Sequence, residues 1–268
     1  MRLIAVVFMS FFQRRISAVL RAGLFSLLCL PVQELSAGAQ AARGDAEAVA
    51  IYHEMVGAFR KAKSLELACK AHFKTDGFEA NVAASLLLKQ GNKMRLEVEI
   101  KGTKEGQPYS HRTFMVSNGT SLFIRENQEP WNDFKTTTNW NETVLNNITR
   151  GGFPTGLEID RIKSKDEDPQ KVVAVAFFPV PEPAEFVLWK KEQLDRREVI
   201  PVEFKVKGSS AFIKENAVIL WVDASTHFPV KRMNVIHSDR TLTVTENYET
   251  VSLNPELDDS RFERPRDR

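Results

Sequence analysis

The sequence "FMVSNGTSLFIRE", residues 114–126, contains two apolar runs separated by Asn118-Gly119. Asn-Gly is typical of a type I′ β-hairpin turn because both residues tolerate positive φ angles. The stretch therefore predicts two antiparallel strands that pair directly across this turn.

A second stretch, "MRLEVEIK", shows which surface of such a sheet is dry. Met94, Leu96, Val98 and Ile100 alternate with charged residues over its whole length. Strict alternation is typical of an antiparallel strand with one face buried and one face in water.

The rest of the chain predicts about nine to eleven strands and a helix near residue 45. Asp45 is a candidate helix cap, and an apolar stripe follows at helical spacing, namely Ala48, Tyr52, Met55, Val56 and Phe59. "DASTHFP" predicts a hairpin turn at Asp223, and Phe262 is expected to pack onto the body from the C-terminal tail. We predict one α+β domain, a strongly curved antiparallel sheet with helices on its concave side.

Residues 128–160 interrupt the strands with many Asn, Thr and Gly residues. Within them, "WNETVLNNITR" predicts a short helix with one apolar side, formed by Trp140, Val144, Leu145 and Ile148. This insertion is either a mobile cover over the sheet or a simple connection.

The first 41 residues resemble a secretory signal peptide. A basic segment ending at Arg21 precedes an apolar run, and two A-x-A cleavage options follow. The apolar run, Ala22 to Val32, is shorter than a membrane span needs. The remainder, residues 42–268, carries 33 basic and 34 acidic residues, so its charge does not favour nucleic acid. We expect a periplasmic protein without stable membrane insertion.

No motif in the sequence predicts catalysis, a cofactor or a metal. A phosphate-binding loop, HExxH, CxxC and GxSxG are all absent. After cleavage of the leader, Cys69 is the one cysteine left, and its strand context predicts a buried structural thiol. His72 and His111 could meet across the sheet, but two histidines alone do not make a metal site. The protein is therefore predicted not to be an enzyme.

A curved sheet with one apolar face has two interpretations that the sequence does not separate. Its concave side is either filled by its own side chains or leaves an apolar cavity that binds apolar ligands.

Several segments resemble LolA-type periplasmic lipoprotein carriers, as in a divergent member of that superfamily. Residues 116–123, "VSNGTSLF", are similar to a turn-and-strand motif of that family. "LWVDASTHFPVKR" and the tail "VSLNPELDDSRFERP" resemble later motifs in the same order. The resemblance implies an unclosed β-barrel of about eleven strands, with an N-terminal helix and short lid helices over a hydrophobic cavity. Where the carriers have an arginine that latches the lid, this chain has Lys89 or Gln90.

By this resemblance, residues 42–268 form one lipid-binding domain that moves a lipid or lipoprotein acyl chain across the cell envelope. Membrane-bound donor and acceptor proteins would be its partners. The alternative is an envelope regulatory or scaffold protein of the same fold that binds a protein partner. The expected lid residues are Trp140, Val144, Leu145 and Ile148, and the expected cavity residues are Met94, Leu96, Val98, Ile100, Phe114, Val116, Leu122, Ile124 and Leu220.

Overall fold

The structure is a computed structural model that describes residues 45–135, 183–207, 215–237 and 241–265. These residues all belong to one compact unit, Ala42–Arg268. They form one α-helix, twelve strands and a 3₁₀ turn at Asp259–Phe262. The helix is α1 (Ala46–Lys61), and the strands are β1 (Ser64–Thr75), β2 (Phe78–Lys89), β3 (Lys93–Lys104), β4 (Gln107–Asn118), β5 (Ser121–Glu126), β6 (Asn132–Lys135), β7 (Ala184–Leu188), β8 (Glu192–Leu194), β9 (Arg197–Lys207), β10 (Glu215–Asp223), β11 (Pro229–His237) and β12 (Thr241–Leu253).

All twelve strands belong to one antiparallel sheet with the order β6-β5-β4-β3-β2-β1-β12-β11-β10-β9-β7, and β8 also pairs with β9. The first and last strands of this order do not pair with each other, so the sheet is unclosed. The prediction of a strongly curved antiparallel sheet with an N-terminal helix is confirmed. The predicted lid helices lie outside the described residues.

Helix α1 forms as its sequence predicts. Asp45 accepts a hydrogen bond from the backbone N–H of Glu47 at 3.1 Å, which caps the helix. The predicted apolar stripe is buried against the sheet along its whole length, from Ala48 to Phe59. The helix ends at Lys61, and the chain enters β1 three residues later.

The turn at Asn118-Gly119 is a hairpin, as predicted, but it is not type I′. Gly119 has a positive φ of 102°, whereas Asn118 does not belong to the positive-φ residues. The Asn118 side chain instead accepts hydrogen bonds from the backbone N–H groups of Thr120 and Ser121 at 3.1 and 3.0 Å. Asn118 therefore ends β4 as a capping residue, and only the glycine takes the left-handed conformation.

The predicted turn at Asp223 is confirmed. Its carboxylate accepts backbone hydrogen bonds from Ser225 and Thr226, both at 2.9 Å. A side-chain hydrogen bond from Ser225 is the largest cause that lowers the pKa of Asp223. This turn fixes the β10–β11 register, and with it the residues of these strands that face the core.

Candidate functional site

The core-facing side of the sheet is built by strand registers that stack apolar residues from strand to strand. Leu96 in β3 pairs with Leu86 in β2 and with Met115 in β4, which in turn pairs with Ile124 in β5. Paired residues share a face of an antiparallel sheet. We call this side the inner face; it also carries Leu220 of β10, and all five side chains belong to or pack against the main core cluster.

Most of the expected cavity residues lie together on the inner face. Met94, Leu96 and Leu122 are fully buried, with 0% relative exposure. The remaining members of this group also belong to or pack against the main cluster, namely Val98, Ile100, Ile124 and Leu220. The register thus brings these residues onto one side of the sheet, where they join the main apolar cluster.

Phe114 and Val116 lie on the opposite side, the outer face. Phe114 pairs with Glu97, and Val116 pairs with Arg95, both of which belong to the outward-facing set of β3. The inward residue between them is Met115. The prediction assigned the wrong alternation to this strand because the run "FMV" is apolar at every position.

The outer face is covered at this point by the C-terminal segment, residues 254–265. Phe262 is fully buried and forms a second small cluster with Leu87 and Leu257. The Lys89 ammonium donates to the Leu257 carbonyl and to the Asp259 carboxylate, both at 2.6 Å. The lysine near the position of the carriers' latch arginine therefore holds the C-terminal segment on the outer face.

Helix α1 packs on the inner face, mainly against β7 and β9. The ring of Tyr52 lies 5.2 Å from the rings of both Phe186 and Phe204, measured between centroids. The backbone N–H of Asp45 donates to the Phe186 carbonyl at 3.0 Å, and His227 lies 3.0 Å from the Glu54 carboxylate. The helix is thus held at its beginning and at its middle.

Polar residues also lie on the inner face, and the sequence analysis missed them. Arg232 in β11 pairs with Leu220 on one side and with Glu246 of β12 on the other. Both charged residues are buried, with 5% and 2% exposure. Asn234, two residues after Arg232, is buried as well. We call Arg232, Asn234, Glu246 and Tyr248 the inner polar cluster.

Burial removes the side chains of the inner polar cluster from water. Tyr248 donates its hydroxyl proton to Glu246 at 2.5 Å. Burial first, and then the Glu246 charge, raise the pKa of Tyr248 well above its ordinary value. The same two causes raise the pKa of Cys69, which pairs with Tyr248 across β1 and β12. The thiol is buried, as predicted, and both groups stay protonated at neutral pH.

The two histidines that the sequence left free to meet across the sheet, His72 and His111, have different partners. His72 contacts Asn81 at 3.1 Å, and His111 contacts Thr113 at 3.0 Å. Within the described part of the chain, no group of three or more His, Cys, Asp or Glu side chains is arranged to hold a metal ion. The expected lid residues Trp140, Val144, Leu145 and Ile148, like the predicted leader, lie outside the described residues.

Comparison with known proteins finds matches among solved structures alone. No protein-family model matches the chain, and no curated protein matches its sequence. Among solved structures, the chain is similar to LprF from Mycobacterium bovis, with 15% identity, a TM-score of 0.45, and coverage of 80% of this chain and 99% of LprF.

It is also similar to a LolA superfamily protein from Nitrosomonas europaea, with 11% identity, a TM-score of 0.30, and coverage of 81% and 97%. A third similar structure is the MucA/MucB complex of Pseudomonas aeruginosa, with 8% identity, a TM-score of 0.36, and coverage of 82% of this chain and 61% of the other. The similar structures thus include a LolA superfamily protein, in keeping with the resemblance seen in the sequence. Among the described residues, no helix has the length and apolar character needed to cross a membrane.

Proposed function

We propose that this protein is a non-enzymatic carrier that binds a long acyl chain on the inner face of its sheet and moves it through the periplasm. The observation that carries the proposal is the single apolar cluster on the inner face. Residues from Leu122 in β5 to Val202 in β9 belong to a single apolar cluster on one side of an unclosed sheet. The sequence resemblance to lipoprotein carriers and the signal-like leader support the same function.

The energetics of burial favour long chains over short ones. Each buried methylene contributes roughly 0.8 kcal/mol, so about ten methylenes contribute about 8 kcal/mol. Association itself costs about 4–15 kcal/mol. Chains much shorter than ten carbons should therefore not bind measurably, and each pair of added methylenes should tighten binding by roughly fifteenfold.

The proposal requires room for the chain between the sheet and α1. Leu96 is fully buried on the inner face. A larger side chain there should occupy the space that the acyl chain would take. Glu99 lies on the same strand but on its outer side, where it pairs with Lys101 at 2.8 Å in solvent. It offers a matched control position.

The experiment measures displacement of a fluorescent fatty-chain probe by saturated fatty acids of increasing length. For the unaltered protein, we expect affinity to rise with length. Leu96→Trp should weaken binding at least tenfold, and Glu99→Trp should leave it unchanged. Thermal unfolding of both variants separates loss of binding from loss of fold, and Leu96→Phe provides a milder change. Absence of probe binding, or equal effects of the two tryptophans in folded protein, would exclude the inner face as the site.

A second function, binding of a protein partner at the sheet edge, is favoured by Trp189. This side chain follows β7, the last strand in the order of the described sheet, and is 52% exposed, although its indole N–H donates to Glu203 at 3.0 Å. Exposed tryptophan beside an edge strand is a common anchor for protein partners. A photo-crosslinking residue at position 189 should then capture one defined protein in producing cells, whereas the same residue at the exposed position 249 should not.

A further inference from the structure

Three buried polar atoms without a hydrogen-bond partner lie on the inner face. They are Arg232 Nε, Asn234 Oδ1 and Asn216 Oδ1. In the described part of the chain, the only other such side-chain atom is Asn92 Oδ1, in the β2–β3 turn. Each buried polar atom without a partner costs about 1–3 kcal/mol. Native structures contain few of them, so three on one surface need an explanation.

The strand register places these three residues side by side. Arg232 and Asn234 are two residues apart on β11 and share the inner face. Asn216 in β10 pairs with Ile236, which is two residues from Asn234 on the same face. Neighbours of this kind are about 7–8 Å apart. A small polar group of one ligand can therefore reach more than one of them.

Apart from Glu246 opposite Arg232, the cross-strand neighbours of these residues are apolar. Asn234 pairs with Val218 on one side and with Val244 on the other, and both valines are fully buried. Arg232 pairs with Leu220 of the same apolar cluster. A ligand group bound here would thus be flanked by surface that suits a hydrocarbon chain.

The charges of the inner polar cluster determine what kind of group fits. Glu246 lies directly opposite Arg232, so the positive charge already has a negative neighbour. A ligand carboxylate would satisfy Arg232 Nε, but it would add a second negative charge near Glu246 and offer no proton to the two amide oxygens. An amide or a hydroxyl offers both an acceptor for Arg232 and a donor for Asn234.

We propose that Arg232, Asn234 and Asn216 form a polar subsite on the inner face that binds an uncharged amide or hydroxyl group of an acyl ligand. This inference rests on the proposed function, because it assigns the ligand class for the same surface. The subsite would distinguish acyl chains whose polar group carries a hydrogen-bond donor from simple esters of the same length, which carry none.

The experiment compares four sixteen-carbon probes that differ only in the polar group: palmitamide, hexadecanol, methyl palmitate and palmitic acid. Each displaces the fluorescent fatty-chain probe from the full chain as purified from cells. We expect palmitamide and hexadecanol to bind about tenfold more tightly than methyl palmitate, which has no donor. Palmitic acid should not exceed the amide.

Variants assign the preference to the subsite. Asn234→Leu should remove the preference without lowering the midpoint of thermal unfolding, because it replaces a polar group that lacks a partner with an apolar one. Asn247→Leu is the matched control, since Asn247 is exposed on the adjacent strand and pairs with Lys231. It should leave the preference intact. If Asn234→Leu fails to fold, Asn216→Leu tests the same subsite.

The outcomes separate this inference from the function on which it rests. If no probe binds, the carrier function itself fails. If all four probes bind equally, or if the preference survives both subsite variants, the carrier function stands and the subsite is refuted. A clear preference for palmitic acid would identify an anion site instead, which also overturns the proposal.

Discussion

Removing the phenyl ring of Phe262 should destabilise the protein strongly, although this residue lies in the C-terminal segment outside the sheet. Phe262 has no exposed surface and packs with Leu87 and Leu257 on the outer face. Burial of a phenylalanine contributes about 1.5–3 kcal/mol by transfer alone, and replacement by alanine typically costs about 3–5 kcal/mol. Because the C-terminal segment can partly relax around the gap, we expect about 3 kcal/mol for Phe262→Ala.

The assay is urea unfolding followed by tryptophan fluorescence, together with thermal unfolding. A loss of about 3 kcal/mol should lower the unfolding midpoint by about 6–12 °C for a domain of this size. Trp189→Ala is the control, because that side chain is mostly exposed and should cost less than about 1 kcal/mol. Acyl-chain affinity should not change, since Phe262 lies on the outer face. A loss below 1 kcal/mol for Phe262→Ala, with an unchanged urea dependence, would mean that Phe262 does not anchor the C-terminal segment.

Gly119→Ala should destabilise the protein by about 1–3 kcal/mol in a urea titration, because a Cβ there would lie 2.5 Å from a backbone oxygen and the φ is +102°. Gly57→Ala is the control: a Cβ at this position on α1 meets open space, so the change should be neutral or stabilising by about 1 kcal/mol. Cys69 should not react with a thiol reagent in the folded protein, because burial raises its pKa, and should react fully in denaturant when the other cysteine is replaced by serine. A hydrogen bond from Lys89 is the largest cause that lowers the pKa of Asp259 to about 2. The contribution of Asp259 to holding the C-terminal segment should therefore be present above about pH 4 and lost as the pH falls towards 2. Amide hydrogen exchange of that segment measures this loss.

Each of these predictions has an outcome that contradicts it. A stabilising Gly119→Ala would mean that the turn takes another conformation. Rapid reaction of Cys69 in native buffer would mean that the inner face opens readily to solvent. Protection of the C-terminal segment that does not change between pH 5 and pH 2 would mean that Asp259 does not hold it.

The sequence predicts the strand faces well where one face is wet and poorly where both are covered. Met94 to Ile100 alternate with charged residues, and their inward direction is confirmed. Phe114 and Val116 are buried although they lie on the outer face, so the alternation that would reveal their direction is absent from the sequence. The side chains that pack on this part of the outer face come from other segments of the chain: Trp131 lies against the Phe114 ring, and Phe262 packs with Leu87.

The inner polar cluster escapes sequence reasoning for the opposite reason. In "VKRMNVI", Met233 looks like the inward residue, yet Arg232 and Asn234 are buried on the inner face and Met233 is half-buried outside it. Hydrophobic alternation assigns polar residues to the solvent face. For a strand whose polar side chains point inward, it therefore predicts the wrong face for every residue. Strands β6 and β8 were also missed, because they are short, polar edge strands with few apolar positions.

The central claim, that the inner face holds a long acyl chain, is tested most directly by native mass spectrometry of the protein purified from the cell envelope. The account predicts a population heavier by the mass of one acylated molecule, which organic extraction removes and an added long-chain amide restores. A spectrum that contains the bare chain alone, unchanged after incubation with such an amide, would contradict the account.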